Sequence, residues 1–166
     1  RQTNSDIVYF GGTTQTNGWQ LAKDMLSAGL KIPYMLPDGC YEQAFIEAAG
    51  AETLEGNTYI TFGGVPPTML TGKGKEFYEK YLAKFGSVPE GYAAYGYECS
   101  KVALTAIAAA GRKDRLAIVE AASKIKDFEG ALGTWSFDAN GDTSLTLMSG
   151  NTVKNGKFEF VKMLGH

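Results

Sequence analysis

The sequence predicts an α/β fold whose centre is a parallel sheet made of βαβ units. Short apolar runs rich in β-branched and aromatic residues stop at glycine or proline-glycine turns. Segments of helical period follow the first two of them, and the alternation gives strand, helix, strand, helix, strand before residue 64. Strands separated by helices of this length pair in parallel, because a parallel connection needs a crossover.

Ile7-Val8-Tyr9-Phe10 is the first strand; it is apolar throughout and ends at Gly11-Gly12, the pattern of a central strand buried on both faces. Trp19, Ala22, Met25 and Leu26 then recur at helical spacing, and Gly29 occupies the usual position after a helix C-terminus. Tyr34-Met35-Leu36 is the second strand, Pro37-Asp38-Gly39 a turn, and Glu42 to Ala49 a helix ended by Gly50. Asn57 to Phe62 is the third strand. Val65-Pro66-Pro67 lacks two backbone donors and interrupts ladder and helix alike, so it marks a boundary or a crossing segment.

The rhythm then changes. Phe77, Tyr78, Tyr81, Leu82 and Phe85 form one stripe of an amphipathic helix ended by Gly86. Pro89 opens a long helix to about Ala110, with Tyr92, Tyr95, Cys99, Val102, Ala106 and Ala110 expected along one side. Asp114 is placed to cap a third helix, Arg115 to Lys124. The remainder is β: Thr134 to Phe137, an expected strand at Leu145-Thr146-Leu147, and a hairpin of Thr152-Val153 with Phe158-Glu159-Phe160 around Asn155-Gly156, a type I′ turn sequence.

Composition narrows the chemistry. The 166 residues carry a formal charge of -2, which offers no broad basic footprint for nucleic acid or an anionic membrane. The single histidine is the terminal His166, so no internal imidazole is present for Ser-His-Asp or Cys-His nucleophile pairs or for a His-ligated metal. Cys40 and Cys99 lack redox or zinc spacing. The most apolar run, Val102 to Ala110, is about half of what spans a bilayer. No enzyme, cofactor or metal site is expected.

In open α/β sheets ligands bind beyond the carboxyl ends of the strands, which draws attention to two loops. Gly11 to Gly18 matches neither G-x-G-x-x-G nor a P-loop and has no nearby cation, but Thr13, Thr14, Gln15 and Asn17 suit hydrogen bonding to a small polar ligand. Asp38 follows the second strand directly. Its carboxylate suits an ammonium group if the first two strands are neighbours, or else serves the turn or caps the next helix. Tyr92 at the start of the long helix either walls a pocket or belongs to the core, and Cys40 either lines the Asp38 pocket or is a small buried residue. Asp138-Ala139-Asn140-Gly141-Asp142 departs from the EF-hand pattern and is expected to be a tight turn.

At Asp6-Ile7-Val8-Tyr9-Phe10-Gly11-Gly12, Gly29-Leu30-Lys31, Pro37-Asp38-Gly39, Glu55-Gly56, Pro89 to Tyr97 and Phe137 to Asp142, the chain resembles the bacterial branched-chain amino-acid-binding proteins of ABC transporters, the leucine/isoleucine/valine-binding type. The resemblance implies a type I periplasmic-binding-protein fold of two α/β lobes, present as a partial chain. Residues 1–64 and 148–166 would be parts of the second lobe and 65–147 part of the first. The first half of the first lobe and the opening of the second would be missing, with Arg1 falling near the end of a helix. The resemblance also implies capture of a branched-chain or related small amino acid in an interlobe cleft for uptake, an exported periplasmic location and a membrane permease as partner. It assigns ligand contact to Gly12 and Thr13, the α-ammonium to Asp38, and a packing contact to Tyr92. Several members carry Glu at the position of Asp38 and an aromatic at that of Thr13, differences that alter pocket shape. The fragment itself has self-association as one way to cover exposed apolar area. The other reading on the same fold is the ligand-sensing effector domain of a regulator or receptor.

Overall fold

A computed structural model describes residues 4–165; Arg1 and His166, both singled out in the sequence, lie outside the described residues. The strands are β1 (Val8–Tyr9), β2 (Tyr34–Leu36), β3 (Thr58–Gly63), β4 (Phe128–Gly130), β5 (Gly133–Trp135), β6 (Met148–Lys154) and β7 (Lys157–Leu164). The helices are α1 (Gly18–Ser27), α2 (Gln43–Ala49), α3 (Ala51–Leu54), α4 (Lys73–Phe85), α5 (Gly91–Ala110) and α6 (Arg115–Ser123). They form two compact units, one of the residues up to Val65 with those from Leu147 onward, the other of Pro66–Thr146.

The first unit is built on a five-stranded sheet of order β1-β2-β3-β6-β7. β1, β2 and β3 run parallel, with Val8 beside Tyr34 and Tyr34 beside Thr58. β6 returns antiparallel to β3, and β7 antiparallel to β6. One sheet face carries the core: Tyr34, Leu36, Ile60, Phe62 and Val153 are fully buried on it, with Phe45, Ile46 and Ala49 of α2 and Ala22 and Met25 of α1 also buried. The opposite face aligns Tyr9, Met35 and Tyr59 in one row and leaves Tyr9 62% exposed.

The α1 terminus shows how the sequence stops a helix. Gly29 sits at φ +70 and donates to Leu26 O at 3.0 Å, while Leu30 N donates to Met25 O at 2.9 Å, the paired bonds of a Schellman cap. The β6-β7 connection is the expected type I′ turn, with both Asn155 (φ 51) and Gly156 (φ 69) left-handed.

Two expectations for this unit fail. Ile7 to Phe10 is not a central strand: β1 is the sheet edge, Ile7 is 47% exposed, and its one strand partner among the described residues is β2. Leu145 to Leu147 is not a strand. The ladder starts at Met148, which pairs with Gly63, the last residue of β3; among the described residues Leu145 to Leu147 joins no strand, and the Leu147 carbonyl accepts from Gly64 N at 2.7 Å.

The second unit packs α4, α5 and α6 with the β4-β5 hairpin. The Asp114 carboxylate caps α6 as expected, accepting from Ala117 N at 2.9 Å. On α5, however, the buried residues are Gly91, Ala94, Glu98 and Ala106, while Cys99 is exposed. The predicted stripe does not include Glu98, although Ala106 belongs to both sets. In the structure Glu98 is 2% exposed, because N–H donors converge on it: Ala131 N at 2.7 Å, Trp135 Nε1 at 2.8 Å and Leu132 N at 3.4 Å. A buried carboxylate is tolerated when it accepts several such bonds. Gly130 is matched to it, since a Cβ there would overlap the Glu98 carboxylate. Trp135 also packs on Phe128 and Phe137, with ring centroids at 5.3 and 4.9 Å.

Glu98→Ala leaves those donors buried and unpaired, so a loss of about 3 kcal/mol in unfolding free energy is expected in urea denaturation followed by tryptophan fluorescence. The exposed neighbour substitution Lys101→Ala should change it by less than about 0.5 kcal/mol.

Candidate functional site

The site is built from the loops that leave β1 and β2. Because these strands are parallel neighbours, both loops emerge at one edge of the sheet. The first loop begins as Phe10 N donates to Met35 O at 3.0 Å, and it closes on itself through Thr13 and Thr16. The Thr16 hydroxyl accepts from Thr13 N at 2.8 Å and donates to Thr13 O at 3.0 Å. Gly12 and Gly18 make room for the Phe10 ring, which a Cβ at either position would overlap. Neither glycine has a left-handed φ, so space rather than backbone conformation calls for glycine there.

The second loop is a 3₁₀ turn, Asp38–Cys40, directly after Pro37. The Asp38 carboxylate accepts from Gly39 N at 3.0 Å, and Tyr41 N donates to Asp38 O at 2.8 Å. Two hydrogen bonds connect the loops near their bases: Thr14 Oγ1 donates to Gly39 O at 3.4 Å, and the Cys40 thiol donates to Gly12 O at 3.7 Å. Gln15 Nε2 reaches Glu42 Oε2 at 3.4 Å further out. Beneath them Tyr41 stacks between Phe62 and Phe158 at centroid distances of 4.6 and 4.5 Å, tying the second loop to β3 and β7.

The predicted positions therefore fall as follows. Gly12, half-buried, and Thr13 and Asp38, both exposed, lie in the two loops that the structure brings together. Tyr92 lies in the other unit, in the first turn of α5, with its ring 6.1 Å from that of Tyr95 and 40% of its surface exposed. Cys40 is fully buried, the bland alternative for that residue, yet its thiol touches the first loop. The contacts of Gly39 and Cys40 with the first loop have no sequence signal, since they depend on two segments about 26 residues apart meeting side by side. Among the described residues no group of three or more His, Cys, Asp or Glu side chains gathers to hold a metal ion. The Asp138 loop is the expected tight turn: its carboxylate accepts from Asn140 N at 2.8 Å and Asp142 N at 2.9 Å. Those backbone donors, Asp142 foremost, hold the carboxyl below its ordinary range.

Burial, with the charges of Glu42 and Asp38 adding to it, pushes the Cys40 thiol from its ordinary 9.0 up to about 12. Tyr34 shifts upward as well, through burial first and Cys40 second, and its hydroxyl donates to Gly18 O at 2.8 Å. Both groups are held neutral in the folded state. Stability is therefore full below the unfolded value near 9 and falls as pH rises from there through about 12, since the unfolded chain releases the thiol proton first. Native-state labelling with a thiol reagent at pH 8 should modify exposed Cys99 alone, with Cys40 reacting only after denaturation. In pH-dependent melting, Cys40→Ala should flatten the decline above pH 9.

The sequence profile described as periplasmic binding protein matches residues 1–156. The Leu/Ile/Val-binding protein homolog 2 of Brucella abortus is 29% identical over 163 residues, covering 96% of this chain and 42% of that protein. Among solved structures, the leucine binding protein LivK of Thermotoga maritima superposes with a TM-score of 0.87 at 31% identity, over 97% of this chain and 45% of that one. The branched-chain amino acid transporter substrate binding protein LivJ of Streptococcus pneumoniae, solved in complex with isoleucine, gives 0.81 at 28% identity, over 96% and 44%. The chain thus spans less than half the length of the relatives it matches.

Proposed function

The chain belongs to the periplasmic binding protein family, and from that premise we propose that it is part of a solute-binding protein that captures a branched-chain or related small amino acid for uptake by an ABC transporter. The observation that carries this reading is the loop pair at the carboxyl edge of β1 and β2, where an exposed carboxylate and an exposed threonine stand on loops bonded to each other. A carboxylate suits an α-ammonium group, and preformed loops lose little freedom on binding. In this reading Asp38 takes the ammonium, Gly12 and Thr13 contact the ligand, and Tyr92 packs on it. The relatives named for leucine, isoleucine and valine support the ligand class.

The first unit is assigned to the second lobe of the intact receptor and Pro66–Thr146 to its first. The function is capture and delivery with no bond made or broken, outside the cytoplasm in the periplasm, with a membrane permease receiving the ligand.

Calorimetric titration of the intact protein against alanine, valine, leucine and isoleucine tests the reading. Asp38→Ala is expected to cost about 2–5 kcal/mol in affinity, because it leaves a ligand ammonium without its counter-charge. An unchanged affinity would remove Asp38 from the site. The 166-residue chain alone should bind at least about tenfold more weakly than the intact protein, since a micromolar site needs roughly 8 kcal/mol of binding free energy and this chain supplies only some of its contacts.

A further inference from the structure

Gly39 occupies an unusual place in the loop pair. Its φ is not left-handed, so its backbone conformation is open to any residue. A Cβ at this position would nevertheless stand 2.9 Å from Thr13 Cγ2 and 3.4 Å from both Gly12 O and Thr13 Cβ. The absence of a side chain is what lets the Asp38 turn close against Thr13.

The turn has little room to retreat. Cys40, the next residue, is fully buried with its thiol on Gly12 O, and Thr14 Oγ1 holds Gly39 O. Tyr41 is clamped between two aromatic rings behind it. Thr13, by contrast, is exposed and free to move toward solvent, and turning its methyl aside still leaves its Cβ 3.4 Å from the added atom. Added volume at residue 39 is therefore relieved by moving Thr13 outward.

We propose that Gly39 is a specificity-setting position: its missing side chain fixes how far Thr13 projects from the loop pair and so how large a ligand side chain fits beside Asp38. This rests on the amino-acid-binding reading above. Gly39 does not touch the ligand in this scheme; it acts through Thr13 as a positioning residue.

The test is a double-mutant cycle on the intact protein, titrated calorimetrically with alanine and leucine, with melting temperatures recorded for every variant. Gly39→Ala should lower the leucine-to-alanine affinity ratio at least about fivefold, since the larger ligand meets the displaced Thr13 first. In a Thr13→Ala background, where the opposing methyl is gone, the same substitution should change that ratio less than about twofold. Wild-type binding with a ratio that Gly39→Ala leaves unchanged overturns this inference alone. So does an equal loss for both ligands accompanied by a lowered melting temperature, and so does an undiminished effect in the Thr13→Ala background. A wild-type protein that binds neither ligand overturns the amino-acid reading and this inference with it.

Discussion

The parallel pairing of β1 with β2 is the constraint from which the candidate site follows. Parallel neighbours deliver both carboxyl ends to the same sheet edge, so the Thr13 loop and the Asp38 turn must meet there whatever their own conformations. Everything near that edge is arranged around the meeting. Glycine appears where a Cβ would strike the Phe10 ring or Thr13, a small thiol fills the gap below Gly12, and Tyr34 closes the base by bonding the first residue of α1. The edge is thus rigid below and polar above, which is the arrangement expected of a preformed binding surface.

The second unit solves a different problem. Among the described residues its helices pack with a hairpin of only two strands of three residues each, too small to stand alone. Glu98 ties that hairpin to α5 by accepting its N–H groups in a buried position, and Gly130 gives it room. A carboxylate does this better than an apolar residue because the turn at Ala131 and Leu132 and the Trp135 indole present donors that have to be satisfied.

Much of the first unit was legible from residues because its signals are local. Tyr34 to Leu36 is an apolar run of strand length, Gly29 and Gly50 stop their helices, and Asn155-Gly156 is suited to two left-handed residues in succession. The errors share a cause. Ile7 to Phe10 has the pattern of a buried central strand but lies at an edge, and Leu145 to Leu147 has strand propensity but no strand partner among the described residues; both depend on what stands beside the segment. On α5 the expected stripe holds at buried Ala106 and half-buried Tyr95, Val102 and Ala110, but Tyr92 and Cys99 are exposed and Glu98, a residue whose type argues for solvent, is buried.

Of the candidate site, Thr13 and Asp38 could be picked out beforehand because loops at the carboxyl ends of parallel strands are where ligands bind and because a carboxylate and a hydroxyl have definite chemistry, whereas Gly12 came from the family resemblance alone. The parts that position them could not. Gly39 next to Thr13, Cys40 under Gly12 and Tyr41 between Phe62 and Phe158 are contacts between segments distant along the chain. The sequence by itself determined the fold class, most helix and turn boundaries, though not α3, and the chemical character of the two loops, because each depends on residues within a few positions of one another. Only the tertiary structure decided which strand is the edge, which face of α5 is buried and how closely the two loops approach, because those are set by packing across the chain.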